Sequence, residues 1–292
     1  MDANKRIDWK QGMIITPETF TESDMYHDFH HGINRKLIIQ NSYGLLPDSN
    51  FDIDCIIINA VLEIKKIFCE AILKSGLLIL LDKKYSIPLP NLPTAEYYVA
   101  AKITQPSHFE TNEIPYIQTE YDFEIKPAKA WTEQSAYNLF PIMKITNASG
   151  SWEIMDYIPP CLTISSCGIL INLQEEIKKI SNEIIVLMNS KTYEPYLIYN
   201  LTLLFLELNN YTKNEPPFVM VLLLKKIFKT IIICHPGLDD SAEIFILQEY
   251  DHNDIKKKLD QAFSFLQSFK EVLCFVEIEP PKPEEDEDII II

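Results

Sequence analysis

The chain has 292 residues, 47 % of them hydrophobic and 11 % aromatic, which is enough apolar material for two folded domains and too much for a disordered chain. Its formal charge of −16 argues against nucleic acid and anionic membrane surfaces, whose phosphates call for clustered Lys and Arg. Only seven glycines occur, and GxxxxGK[ST], GxGxxG, GxSxG and HExxH are all absent, so nothing in the sequence supports catalysis, a cofactor or a metal.

In the first segment Trp9, Met13, Ile15 and Phe20 are large apolar anchors punctuated by Gly12 and Pro17. Composition alone reads them as a strand and turn packed on a domain, with Thr21 or Ser23 capping a short helix through the His-rich stretch. His27 and His31 share a helix face with His30 beside them, but no Cys or carboxylate cluster of matching spacing joins them. They read as solvated or interfacial histidines.

From Tyr43 to Ile164 short apolar runs alternate with Pro, Asn, Asp and Ser. Phe51–Ile58, Ala60–Ile67, Leu77–Leu81, Tyr97–Ile103, Tyr121–Ile125 and Asn138–Ile145 have strand length and β-branched or aromatic content. Their spacing predicts a β-sandwich. Lys74-Ser75-Gly76, Pro88-Leu89-Pro90-Asn91 and Asn147-Ala148-Ser149-Gly150 supply the turns. Tyr97, Tyr98, Tyr116, Tyr121, Trp131 and Tyr137 read as cross-strand packing rather than as a sugar-binding surface. Pro159-Pro160 then breaks the preceding element.

The second half is helical. Leu173, Ile177, Ile180, Ile184 and Leu187 form one apolar stripe, with Gln174, Glu175, Glu176, Lys178, Lys179 and Asn182 on the wet side. Pro195–Leu208 and Pro217–Ile233 are apolar nearly all round, each opened by a proline where a missing N–H costs nothing. Helices without a polar face need cover on every side, which predicts an oligomeric bundle. Cys234–Tyr250 reads as a long connection and Asp251 as the cap of the last helix, with Asp254 three residues on. That helix carries a strict seam of Ile255, Leu259, Ala262, Leu266, Phe269 and Leu273.

Six cysteines without a CxxC pair and without a signal peptide before them point to a reducing, cytoplasmic setting. Lys225, Lys226 and Lys229 cut the most apolar run, so no membrane span is expected. Glu277–Asp288 holds seven acidic residues and one lysine, net −6, and ends on Ile289, Ile290, Ile291 and Ile292. Its composition predicts a disordered acidic tail. The four isoleucines would be an aggregation hazard if left bare, so they are expected to dock on a strand edge or groove of another subunit.

Three blocks carry a family resemblance. Trp9, Gly12, Met13, Pro17, Phe20, Asp24 and Tyr26 resemble the opening of TssK, the baseplate subunit of bacterial type VI secretion systems, with Glu18-Thr19 in place of its usual Gln-His. The run from Met155 through Leu170 is similar to the family's Ile-Pro-Pro junction, the closing strand of its shoulder domain. Tyr250-Asp251-His252-Asn253-Asp254-Ile255, followed by Leu259 and Phe263, is similar to the opening of its last neck helix.

The resemblance implies an α+β multidomain protein: a β-sandwich shoulder over residues 1–165, a helical-bundle neck over 170–275 and a tail over 276–292, without the family's C-terminal head. It implies a homotrimer that is not an enzyme. In that reading the shoulder grips the wedge proteins TssF and TssG, with Trp9, Met13, Pro17 and Phe20 as the wedge interface or the packing just behind it, the seam packs or oligomerises the neck, and the tail isoleucines reach another baseplate or membrane-anchor subunit. The place implied is the inner face of the cytoplasmic membrane, without insertion. A sandwich on a helical oligomer also suits a phage-like receptor- or carbohydrate-binding tail protein, and Asp251-His252 is the one pair that invites an enzymatic reading.

Overall fold

Antiparallel pairing builds the first half of the chain, and runs such as 52–58, which alternate in burial, are joined by short turns. A computed structural model describes residues 7–39, 42–104, 107–111, 114–190, 195–234 and 239–275. The fold is α+β, and the chain divides into two compact units. The first comprises Met1–Gln174, Tyr211–Val221 and Glu249–Leu259; the second comprises Glu175–Asn210, Leu222–Gln248 and Asp260–Ile292.

The first unit begins with helix α1 (Pro17–Ile38). A long strand β3 (Val61–Ile72) then organises a five-stranded sheet, pairing with β1 (Gly44–Leu45), β2 (Asp52–Ile58), β4 (Leu78–Leu81) and β5 (Tyr85–Pro88). The β2–β3 hairpin closes through Asn59 and Ala60, both with positive φ, as a two-residue turn matched to strand twist requires. A second sheet runs β11 (Ser151–Ile154), β10 (Leu139–Ala148), β6 (Ala95–Ile103), β9 (Tyr121–Pro127). Strands β7 (Ser107–Thr111) and β8 (Ile114–Gln118) form a separate hairpin.

β6 and β10 are buried on both faces, with Val99, Ala100, Ala101, Phe140 and Ile145 fully enclosed. A bulge between Pro141 and Met143 falls where proline has no N–H to give the ladder. The Ser149-Gly150 turn is held by buried Asn147, whose Oδ1 accepts from Gly150 N (2.8 Å) while its Nδ2 donates to Leu92 O (2.7 Å).

The segment 155–160 is not the closing strand that the resemblance implies. Met155 N still donates to Lys144 O (2.9 Å), but beyond it only an isolated bridge, Leu45 to Cys161, follows among the described residues, since Pro159 and Pro160 have no N–H to donate. The proline carbonyls still work: Leu45 N donates to Pro160 O at 2.7 Å.

The helices are α2 (Gly168–Asn189), α3 (Pro195–Asn210), α4 (Pro217–Cys234), α5 (Asp239–Leu247) and α6 (Ile255–Phe275). Pro195 and Pro217 are the first residues of their helices, as expected. In the second unit Ile184, Phe205, Leu224, Ile227, Phe228, Leu266 and Phe269 form the core, with Phe228 stacked on Phe265 (4.2 Å) and Phe245 (4.8 Å). Helix α5 stands where the sequence reads as a connection. Nine residues are too few for a helix to persist by propensity, and buried Ala242 and Phe245 tie this one to α4. Among the described residues no helix is long and apolar enough to cross a membrane.

Candidate interaction surfaces

Residues 7–16 form no strand, and from Pro17 onward the segment is a capped, exposed helix. Thr16 is the N-cap: its hydroxyl accepts from Thr19 N (3.4 Å) and its N–H donates to Thr19 Oγ1 (3.3 Å), with Pro17 in the first turn. Thr21, a candidate cap by sequence, instead donates to Pro17 O from within the first turns. The Thr16 hydroxyl also holds the Glu18 carboxyl below its usual range.

One end of α1 is pinned to the unit. Gly76, at φ +87, lies so close to the Gly32 backbone that a Cβ there would collide with it, and Arg35 Nη1 donates to Gly76 O at 3.5 Å. The other end stands clear. Trp9 (48 % exposed) and Phe20 (55 %) lie 6.2 Å apart, with Met13 and Pro17 also exposed, so the four predicted residues share one accessible segment. Ile14, Ile15, Met25, Phe29, Ile33 and Leu37 extend the apolar surface. The last four recur at every fourth residue, a signal hidden while the segment reads as a strand and a short helix. His27 and His31 are exposed, and among the described residues no group of three or more ligating side chains has metal geometry.

The block before α6 is a structural bracket. Tyr43 OH donates to Asn253 Oδ1 (2.9 Å), and His252 Nε2 meets the Tyr43 carbonyl, which requires the proton on Nε2. Nδ1 therefore accepts from Tyr250 OH at 3.0 Å. Burial lowers the His252 pKa, and burial pushes the Tyr43 phenol up to about 12. Both ring nitrogens are thus engaged, and Asp251 is not their partner. Asp251 Oδ1 accepts from Asn253 N (2.9 Å) in a local turn, while the Asp254 carbonyl takes the helical bond from Lys258 N. Asp254, not Asp251, occupies the cap position, because the turn inserts three residues before the helix starts.

The aromatic residues are packing groups where described. Tyr97 is buried against Trp152 (5.5 Å), and Tyr98 is buried between Trp131 (5.2 Å) and Tyr157 (5.6 Å).

The helical half carries two kinds of face. Ile255, Leu259, Ala262, Leu266, Phe269 and Leu273 are each 0 % exposed. On α3, Tyr196, Tyr199, Leu203 and Leu206 follow the same three-and-four spacing and are all exposed. Ile289, Ile290, Ile291 and Ile292 lie outside the described residues.

No family model matches the chain, and no curated protein matches it. Solved structures do. A crystal structure of TssK superposes with a TM-score of 0.62 at 11 % identity, covering 91 % of this chain and 69 % of that one. A chain of the TssK-TssF-TssG baseplate subcomplex of the type VI secretion system, seen by cryo-electron microscopy, gives 0.59 at 14 % identity, covering 92 % of this chain and 99 % of that one. The chain has a TssK-like fold. TssK from the type VI system of EAEC, in complex with a nanobody, agrees at 0.57 over 87 % of this chain. Of the blocks that carry the sequence resemblance, the N-terminal arm, the Ile-Pro-Pro junction and the start of α6 as far as Leu259 fall in the first unit, and Phe263 falls in the second.

Proposed function

We propose that the protein is a non-enzymatic structural adaptor of a type VI secretion baseplate. The observation that carries this reading is the TssK-like fold over about nine tenths of the chain, including likeness to a chain from a TssK-TssF-TssG assembly. In this reading residues 1–165 are the sandwich shoulder and 170–275 the neck, and the protein sits at the cytoplasmic side of the membrane, linking the wedge to the membrane anchor.

The wedge proteins TssF and TssG are the partners of the N-terminal arm. Its support is physical: an arm that leaves Trp9, Met13, Ile14 and Phe20 in water carries an apolar surface suited to a partner. Homotrimerisation is the companion proposal, supported by the exposed α3 row of Tyr196, Tyr199, Leu203 and Leu206, which has the spacing of a helix seam and stays uncovered by the described residues.

Light scattering on the full chain, alone and with TssF and TssG, tests both. The adaptor reading expects a mass near three times 33.9 kDa that shifts upward on mixing. Trp9→Asp with Phe20→Asp should abolish the shift while leaving the starting mass unchanged. A monomer indifferent to both partners would remove the reading.

A further inference from the structure

The far part of α4 and helix α5 leave an apolar notch in the second unit. Ile232, Ile233, Ile246 and Leu247 line it with Lys229 and Glu243, around a volume of about 350 Å³. Ile233 is 79 % exposed and Leu247 78 %, with Ile244 also exposed on α5, so the two largest aliphatic exposures among the described residues of the unit fall at one place. Lys229 and Lys226 leave their side chains in water along α4, whereas Lys225 is engaged by Gln248 O. The notch is therefore greasy within, with Lys229 on its α4 side, Lys226 one turn further along that helix, and Glu243 on its α5 side.

One segment of the chain has the complementary pattern. Ile289–Ile292 is a short β-branched run, and Glu277–Asp288 before it carries a net charge of −6. We infer that the four isoleucines occupy the α4–α5 notch of their own chain, with the acidic run lying along Lys226 and Lys229. This places the tail on its own copy rather than on a neighbouring subunit, and it holds whether or not the adaptor reading does.

Geometry permits the return. Phe228 and Phe265 stack at 4.2 Å, fixing α4 beside α6 at that level. Ile233 is five residues beyond Phe228 and Phe275 is ten beyond Phe265, offsets of about 8 and 15 Å at ~1.5 Å per residue. With ~10 Å between helix axes, the end of α6 lies within about 25 Å of the notch for either relative direction. The thirteen residues 276–288 span up to ~43 Å, so the tether is long enough. A tether of this length also raises the local concentration of the isoleucines to about millimolar, so a contact too weak to hold a free peptide stays occupied. The acidic run adds attraction that salt screens within a Debye length of ~8 Å at physiological ionic strength.

The test uses the full chain with a benzophenone amino acid at Ile291, irradiated in an equal mixture of ¹⁵N-labelled and unlabelled copies, with adducts mapped by mass spectrometry. The expected result is unmixed-isotope adducts on α4 and α5, lost in Ile233→Glu with Leu247→Glu. Both positions are exposed, so the fold survives the change. Mixed-isotope adducts, adducts elsewhere, or capture only by added TssF or TssG would overturn the inference. As a second measurement, replacing Ile289–Ile292 by serine should speed hydrogen exchange in α5 about tenfold, equivalent to ~1.4 kcal/mol. Unchanged exchange would overturn it as well.

Discussion

Helices α3 and α6 carry apolar rows of the same spacing with opposite fates. Ile255 through Leu273 on α6 is closed off from water along its whole length, while Tyr196, Tyr199, Leu203 and Leu206 on α3 stand exposed. The inner side of α3, with Leu201, Phe205 and Leu208, is buried like the α6 row. A helix can therefore be apolar all round with only its inner side covered by described residues. The α6 row is used up in folding, whereas the outer α3 row is the surface to which the trimer proposal assigns association.

The largest effect should come from the α6 row. Leu259→Ala with Leu266→Ala removes two fully buried side chains, each costing ~2–5 kcal/mol, against a total stability of ~5–15 kcal/mol for a typical domain. Urea titration should show a collapse of the midpoint, and an unmoved midpoint would break the contrast at its buried end.

A smaller loss is expected where α6 is anchored. Asn253→Ala takes away the acceptor of the buried Tyr43 hydroxyl, at a cost of ~1–3 kcal/mol. If its denaturation curve overlays that of the parent, the bracket does not hold the helix start.

The same bracket gives a pH dependence. The folded-state pKa of His252 lies below its unfolded value near 6.5, so the folded chain binds fewer protons there. Its contribution is fully present above pH ~6.5 and is lost as pH falls from there toward the lowered folded-state value, with a slope of up to ~1.4 kcal/mol per unit. Thermal melts between pH 7.5 and 5 should fall more steeply for the parent than for His252→Gln, and parallel curves would show that the imidazole is not held neutral.

The least effect on stability should come from the outer α3 row, where it sharpens the contrast most. Tyr199→Glu with Leu203→Glu alters two exposed positions, so each should shift folding by no more than ~0.5 kcal/mol. The solution mass should nonetheless drop to a single chain. A variant that keeps its oligomeric mass would move the association surface elsewhere.

Much of the architecture was legible in residue order. Strand-length runs rich in β-branched and aromatic residues located β2, β3, β4, β6, β9 and β10; the four-and-three spacing of Ile255 to Leu273 located α6; and Pro195 and Pro217 marked helix starts. Each signal is local, arising from side chains that alternate across a strand or recur on a helix face. The short strands β1, β5, β7, β8 and β11 escaped, as did α5 and the full length of α1. Helix α1 was masked because its clearest cue, the reciprocal Thr16–Thr19 cap, uses Thr where a Glu or Gln is usual. Helix α5 was masked because its stability comes from Phe245 meeting Phe228, two residues far apart in the chain.

The candidate surfaces divide in the same way. That Trp9, Met13 and Phe20 are large, apolar and grouped is written in the sequence; that they remain in water follows from α1 being held to the unit through its Gly32–Lys36 end. The sequence likewise places Asp251 beside His252, but the fold decides that Tyr43 and Tyr250 take both ring nitrogens. Sequence by itself determined which faces are apolar, because periodicity is a property of neighbours along the chain. Only the tertiary structure decided which of those faces are already covered, because cover comes from residues that the chain brings back from a distance.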